Sequence, residues 1–313
     1  MTECVIACTN LTRKFGELTA VDSLSLRVQA GEIFGFLGHN GAGKTTTVRL
    51  LNGILNANTG EVRVLGLDPA ADGAELRRRS GVLTESPSLD ERLTAREMLE
   101  IYARVYGLSE AQARSRTVEL LEAFELLDRA DEKLAGFSKG MKQRMALVRA
   151  LLHSPEVLYL DEPSAGLDPV SARGLHELIV KLSREQGRTI FLCTHNLVEA
   201  QKLCDRVGVM EHGKLIALGT PAELSHRLVH GAKVEIEVQK EQATAAQDVI
   251  KNQFQLFSEP GQNGTLVVTA LHHEKIPAVL AALVQAQVKV YRVAAQEPTL
   301  EDAYFALHTA DRE

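Results

Sequence analysis

The sequence has no apolar run near the length of about 18 residues that crosses a bilayer. Its longest candidate, IPAVLAALVQAQV from Ile276, is too short. Any work at a membrane is therefore expected to go through a partner. The start, MTECVIACTN, has no basic opening and no long apolar core, so no signal peptide is expected. Thr2 stands where N-myristoylation requires glycine. There is no basic excess either. With 35 Lys and Arg against 41 Asp and Glu, the net charge is −6, which argues against a general nucleic-acid binder. Cysteine is scarce: Cys4, Cys8, Cys193 and Cys204 are scattered and form no C-x-x-C pair. A metal site needs better-spaced partners, so the four read as small buried hydrophobes in a reducing compartment. What remains is an ordinary globular composition, 45% apolar over 313 residues, which suggests about two domains.

Against this background one stretch stands out, FGFLGHNGAGKTTTVRLL, residues 34–51. Glycine and threonine are poor helix formers, yet this run sits between an apolar strand, EIFGFL, and a helix-periodic segment, TTVRLLNGIL. The spacing G-x-x-x-x-G-K-T, Gly38 to Thr45, is that of a phosphate-wrapping loop. Gly38, Gly41 and Gly43 are expected to permit left-handed backbone angles. Successive N–H groups then point inward as an anion nest, and the helix beginning near Lys44 adds its positive end. Lys44 is expected to reach the β- and γ-phosphates, and the Thr45 hydroxyl to ligate Mg²⁺.

The first thirty residues alternate like paired strands, VIACTNLTRKF and SLSLRVQAGE. GEVRVLG, residues 60–66, reads as another strand, and Thr94 to Leu127 reads as helical. Short apolar strands then alternate with helices through EVLYLDEP, GLHELIVKLSREQG, RTIFLCTH, NLVEAQKLC and RVGVMEHGKLIALG, which suggests parallel βαβ units. Near Pro221 to Gly231 the character changes. KVEIEVQ, a helical stretch, TLVVTAL, KIPAVLAALVQA, VKVYRVAA and a last helix from Pro298 form a small α/β unit with no phosphate loop of its own. The expected domains are 1–229 and 230–313.

A nucleotide site needs a second acidic element, and VLYLDEP supplies one. Val157 to Leu160 suit a buried strand with Asp161 at its C-terminal end, the edge where open α/β sheets gather ligands. Asp161 is expected to hold Mg²⁺, mostly through water. Glu162, one step on, is placed to polarise an attacking water.

With these motifs in order, the segment from about Val5 to Leu218 resembles the nucleotide-binding subunit of an ABC transporter. The resemblance implies an α/β P-loop ABC cassette with a mixed sheet core, an antiparallel β subdomain and an α-helical signature subdomain, followed here by the small C-terminal α/β domain. FSKGMKQR stands at the family's signature position; Ser138 and Gly140 match, whereas Lys139 and Met141 depart. In the family that helix end meets the ATP held by a second subunit. The implied assembly is a head-to-tail dimer, a homodimer or a pair with a paralogous ATPase. Asp168 in SAGLDP matches the loop linking the two sites, His195 the switch histidine and Phe15 the aromatic stacked on adenine. Glu85 takes the place of a glutamine that contacts Mg²⁺ and the membrane partner, and His39 stands where proline is frequent.

The expected nucleotide contacts are Phe15, Gly38, His39, Asn40, Gly41, Ala42, Gly43, Lys44, Thr45 and Thr46, with Ser138, Gly140 and Asp168 contributed across the dimer. Glu162, His195 and Lys44 are the expected catalytic groups, and Thr45, Asp161 and Glu85 the metal-facing ones. FSKGM, Glu85 and the closing QEPTLEDAYFALHT resemble a subgroup whose ATPases pair with a separately encoded permease, usually exporting drugs, antibiotics, lipids or polysaccharides. That places the chain on the cytoplasmic face of the membrane, with no nucleic-acid partner. The tail itself reads equally as a regulatory or dimer-supporting extension and as a packing helix. The rival functions are a soluble ABC ATPase acting on ribosomes or nucleic acid and a nucleotide-binding regulator without hydrolysis.

Overall fold

The computed structural model describes residues 3–86, 88–228, 232–296 and 298–310. The chain packs as two compact units, Met1–Thr220 and Pro221–Glu313. The change of unit thus falls about nine residues before the expected boundary at 229/230, which itself lies outside the described residues.

The first unit runs β1 (Cys4–Phe15), β2 (Leu18–Gln29), β3 (Ile33–Leu37), α1 (Lys44–Leu51), β4 (Thr59–Val64), α2 (Gly73–Arg79), β5 (Ser80–Leu83), α3 (Ala95–Val105), α4 (Glu110–Ala123) and α5 (Lys139–Leu151), then β6 (Val157–Asp161), α6 (Pro169–Arg184), β7 (Thr189–Thr194), α7 (Leu197–Leu203), β8 (Arg206–Glu211) and β9 (Lys214–Gly219). The strands form two sheets. One is antiparallel, in the order β2-β1-β4. The other has the order β5-β6-β7-β3-β8-β9, parallel throughout except for the β8–β9 edge pair. The strands β3 and β7 are buried along their whole length, as apolar runs covered on both faces require. A single core joins the layers, with Phe34, Phe36, Tyr159 and Phe191 from the large sheet packed against Ile6, Leu11 and Leu24 from the small one.

The helical reading of 94–127 resolves into α3 and α4, separated at Gly107 with φ 76°. Each begins with a reciprocal capping box, Thr94 with Glu97 and Ser109 with Gln112, so the stops and starts are written in local hydrogen bonds. Among the cysteines Cys8, Cys193 and Cys204 are buried, and burial pushes the Cys8 thiol up to about 12. Cys4 departs from the expectation because it is exposed.

The second unit runs α8 (Pro221–Leu228), β10 (Ala232–Val238), α9 (Ala243–Phe254), β11 (Ser258–Pro260), β12 (Thr265–Leu271), α10 (Ile276–Gln285), β13 (Val290–Gln296) and α11 (Leu300–Ala310). Its strands form an antiparallel sheet in the order β11-β12-β10-β13. Val234, Ile236, Leu266 and Val268 pack there against Ile250 of α9 and Leu283 of α10. Among the described residues, no helix is long and apolar enough to cross a membrane.

Candidate active site

The parallel strands β3, β6 and β7 end on one edge of the large sheet, and three loops leave from there. The loop after β3 carries Gly38 to Gly43 into α1. Gly41 and Gly43 take φ of 86° and 111°, the left-handed region expected for them. Gly38 is different, because its φ is not positive. It must be glycine for lack of space, since a Cβ there would run into the Met210 carbonyl oxygen. The strand that crowds it, β8, continues into a turn that holds the loop from outside. Gly213 N–H donates to the Ala42 carbonyl at 3.0 Å, and Asp22 N–H donates to the Gly213 carbonyl at 2.8 Å.

Lys44 is buried, and its ammonium donates to the Gly38 carbonyl at 2.5 Å and the His39 carbonyl at 3.3 Å. It also lies 3.7 Å from Glu162 Oε1. The Thr45 hydroxyl donates to Asp161 Oδ2 at 2.9 Å. Asp161 thus joins the phosphate loop across a sequence distance that only the parallel sheet closes. Burial pushes its carboxyl above the usual range; the Thr45 hydroxyl and Lys44 oppose this, while Glu162 and Glu85 add to it.

Glu162 adopts φ 49°, a left-handed angle costly for a residue with a side chain. The turn is pinned by its own N–H on the Cys193 carbonyl at 2.8 Å. The side chain is buried, with His195 Nδ1 2.8 Å from Oε1 and the Thr194 hydroxyl 3.3 Å from Oε2.

One open cavity of about 530 Å³ is lined by Phe15, His39, Asn40, Gly41, Gly43, Lys44, Thr45, Thr46, Glu85, Asp161 and Glu162. Phe15 lines the cavity and is 43% exposed, with the Arg13 guanidinium over its ring, 4.5 Å from the centre. Leu18, Thr19, Ala20, His212 and Gly213 also line it; none was singled out from the sequence, where nothing marks the β1–β2 and β8–β9 turns as neighbours of the loop. The His39 and His212 rings meet edge to face at 5.6 Å.

Ser138, Gly140 and Asp168 do not line this cavity. Ser138 caps α5, accepting from Met141 N–H at 3.3 Å, and Gly140 is buried in the first turn of that helix. Asp168 caps α6. Its Oδ1 accepts from the N–H groups of Val170 and Ser171, both at 3.0 Å, and its Oδ2 from the Ser171 hydroxyl at 2.6 Å. The Ser171 bonds hold the Asp168 carboxyl below the ordinary range.

Residues 21–165 match the family described as "ABC transporter". The daunorubicin resistance ATP-binding protein DrrA3 of Streptomyces coeruleorubidus is 34% identical over 314 aligned residues, covering 100% of this chain and 98% of the relative. This chain belongs to the ABC transporter family. It is an ATP-binding, ATP-hydrolysing cassette. The bacitracin transport ATP-binding protein BcrA of Bacillus licheniformis is 42% identical over 213 residues, 68% of each chain. A dimeric ATP-binding cassette in a post-hydrolysis state, bound to ADP and Pi, superposes with a TM-score of 0.62 at 27% identity, over 69% of this chain and 98% of that one.

The cassette's residues fit a magnesium nucleotide. Among the described residues, no three His, Cys, Asp or Glu side chains converge as a self-sufficient metal centre. Thr45 and Asp161 instead bring two hard oxygens to one point beside the phosphate loop, the sparse donor set with which Mg²⁺ shares substrate phosphates and water.

Proposed function

We propose that this cassette drives a separately encoded membrane permease that exports a drug, antibiotic, lipid or polysaccharide, and that ATP works by closing a head-to-tail pair of such chains. The supporting observation is the floor of the cavity. Lys44, Thr45, Asp161 and Glu162 meet there beneath a left-handed glycine loop, while the capped end of α5 stays outside it.

The Lys44 ammonium donates to the loop carbonyls of Gly38 and His39 and lies 3.7 Å from Glu162. A polyphosphate tail takes over that cation and the inward N–H groups of the loop. Thr45 and Asp161, with Glu85 lining the same cavity, would hold a magnesium ion, which would supply charge neutralisation at the phosphate oxygens. Phe15 stacks on the base. Glu162, oriented by His195, accepts a proton from the attacking water. On the partner copy, the Ser138 cap and Gly140 let the N-terminus of α5 face the γ-phosphate, and Asp168 stiffens the loop beside it. Loss of the γ-phosphate removes that contact and reopens the pair. The relatives named for bacitracin transport and daunorubicin resistance support the export reading. They are not named for ribosomes or nucleic acid, so the rival non-transport reading has no comparable support.

The C-terminal unit is proposed to be an accessory extension, and the cassette to sit at the cytoplasmic face of the membrane through its permease. Two measurements test the reading. With Glu162→Gln and saturating Mg·ATP, light scattering is expected to give a dimer; a strictly monomeric species overturns the paired mechanism. Co-expressed with a separately encoded permease subunit, the cassette is expected in the membrane fraction, and its complete absence there overturns the transport assignment.

A further inference from the structure

Beneath the proposed base lies a second carboxylate that no nucleotide contact accounts for. Glu199, on α7, is 1% exposed. Its Oε1 accepts from the Ser164 hydroxyl at 2.7 Å and from His176 Nε2 at 2.9 Å. Its Oε2 accepts from the Thr194 hydroxyl at 2.8 Å, and its N–H donates to Asn196 Oδ1 at 3.1 Å. Burial raises its carboxyl, but the bonds from His176, Ser164 and Thr194 outweigh burial and hold it below its ordinary value. Three donors converge on its two oxygens, the environment of an acceptor-only carboxylate.

Thr194 is the pivot. It has one O–H, and two carboxylate oxygens compete for it, Glu199 at 2.8 Å and Glu162 at 3.3 Å. The Asn196 N–H, 3.0 Å away, takes one of its lone pairs. A hydroxyl donates one proton only, and the shorter contact is to Glu199. If the proton turned to Glu162, it would occupy the Oε2 lone pair and weaken that carboxylate as an acceptor. The other titratable groups facing Glu162 are Lys44, Asp161 and His195, and none of these donates to Oε2.

We propose that Glu199 is a positioning residue that claims the Thr194 hydroxyl, keeping Glu162 Oε2 free for the attacking water and fixing the turn that carries His195. Through Ser164 and His176 the same carboxylate ties this turn to the loop and helix that lead through Asp168. The proposal rests on Glu162 being the group that meets the water.

Glu199→Gln tests it directly. The amide oxygen keeps Ser164 and His176, the amide N–H₂ faces Thr194, and the hydroxyl must turn to Glu162. The expected result is a fall in kcat of about tenfold with KM for ATP and nucleotide Kd within about twofold of wild type. Glu199→Asp, shorter but acceptor-only, is expected to retain more kcat than the isosteric Gln. In a Thr194→Val background, Glu199→Gln is expected to have no further effect on kcat, because no hydroxyl is left to turn. Unchanged kcat in Glu199→Gln, a higher kcat in Gln than in Asp, or a full effect of Glu199→Gln on Thr194→Val overturns the proposal. If Glu199→Gln does not fold, Thr194→Ser and Thr194→Val decide: a kcat for Thr194→Ser equal to or above that of Thr194→Val at equal KM is expected, because Glu199 holds the serine hydroxyl away from Oε2, and a Thr194→Ser kcat more than about threefold below that of Thr194→Val overturns the proposal. Glu162→Gln runs alongside. Its unimpaired turnover removes the base itself, a failure distinct from that of Glu199.

Discussion

Replacing Glu162 by glutamine keeps the shape of the side chain and removes one buried negative charge. Its nearest cation is Lys44, 3.7 Å away, with both side chains almost fully enclosed. At an effective dielectric constant of about 20 the gross attraction is roughly 4 kcal/mol. Most of that is cancelled by the cost of keeping two charges out of water. A net residue of about 1 kcal/mol is what an incoming phosphate must overcome to claim the lysine. Glu162→Gln therefore tightens ATP binding by roughly three- to tenfold, while hydrolysis falls by about 10²–10⁴ for loss of a general base. Equilibrium titration with a fluorescent nucleotide measures the first, and single-turnover phosphate release the second. Unchanged turnover removes Glu162 from the chemistry. Binding weakened more than tenfold refutes the claim that its charge competes with phosphate for Lys44.

Further outcomes follow from other parts of the structure. Gly43→Ala forces a side chain to φ 111° and into the Ala20 carbonyl; a stability loss of at least about 2 kcal/mol and no detectable ATP binding are expected, measured by thermal melts with and without nucleotide. Phe15→Ala is expected to weaken ATP binding about tenfold, with Phe15→Trp close to wild type. Burial raises the Asp161 carboxyl, and the ionised form is the one that would hold the metal. Mg·ATP affinity is therefore expected to decline on acidification from a pH above the ordinary aspartate value, and titrations across that range test it. In the C-terminal unit burial raises Asp302, but Lys233 and Thr299 outweigh it and hold the carboxyl at about 2. A depressed carboxyl contributes stability above its unfolded value that is lost as pH falls towards about 2. Lys233→Ala should flatten that acid dependence in circular dichroism melts.

Much of this was legible in the sequence because it is local. The phosphate loop is one contiguous motif, and its strand and helix are periodic on either side. The helix caps at Thr94, Ser109 and Ser138 are also built from bonds within a few residues, although the caps at Thr94 and Ser109 were not singled out from the sequence. What was not legible depends on sheet order. The placement of β7 between β6 and β3 sets Thr194 beside Glu162, and nothing in either segment announces that neighbour. The same holds for Glu199, which looks like an ordinary polar residue of an amphipathic helix until Ser164 and His176 arrive from α6 and its leading loop. Gly38 was legible as a glycine but for the wrong reason, since crowding by Met210 is a property of β8 rather than of the loop's own angles. The change of character near Pro221 to Gly231 was legible, but the expected boundary at 229/230 left α8 with the first domain, whereas its packing groups it with the second.

The β8–β9 turn gains a new meaning from its two backbone bonds to Ala42 and Asp22. Surface hairpins ordinarily accept extra residues with little penalty. This one works as a strut under the phosphate loop, so its length is constrained by the two backbone bonds it makes. An inserted residue after His212 would leave the sheet intact and still disable the enzyme.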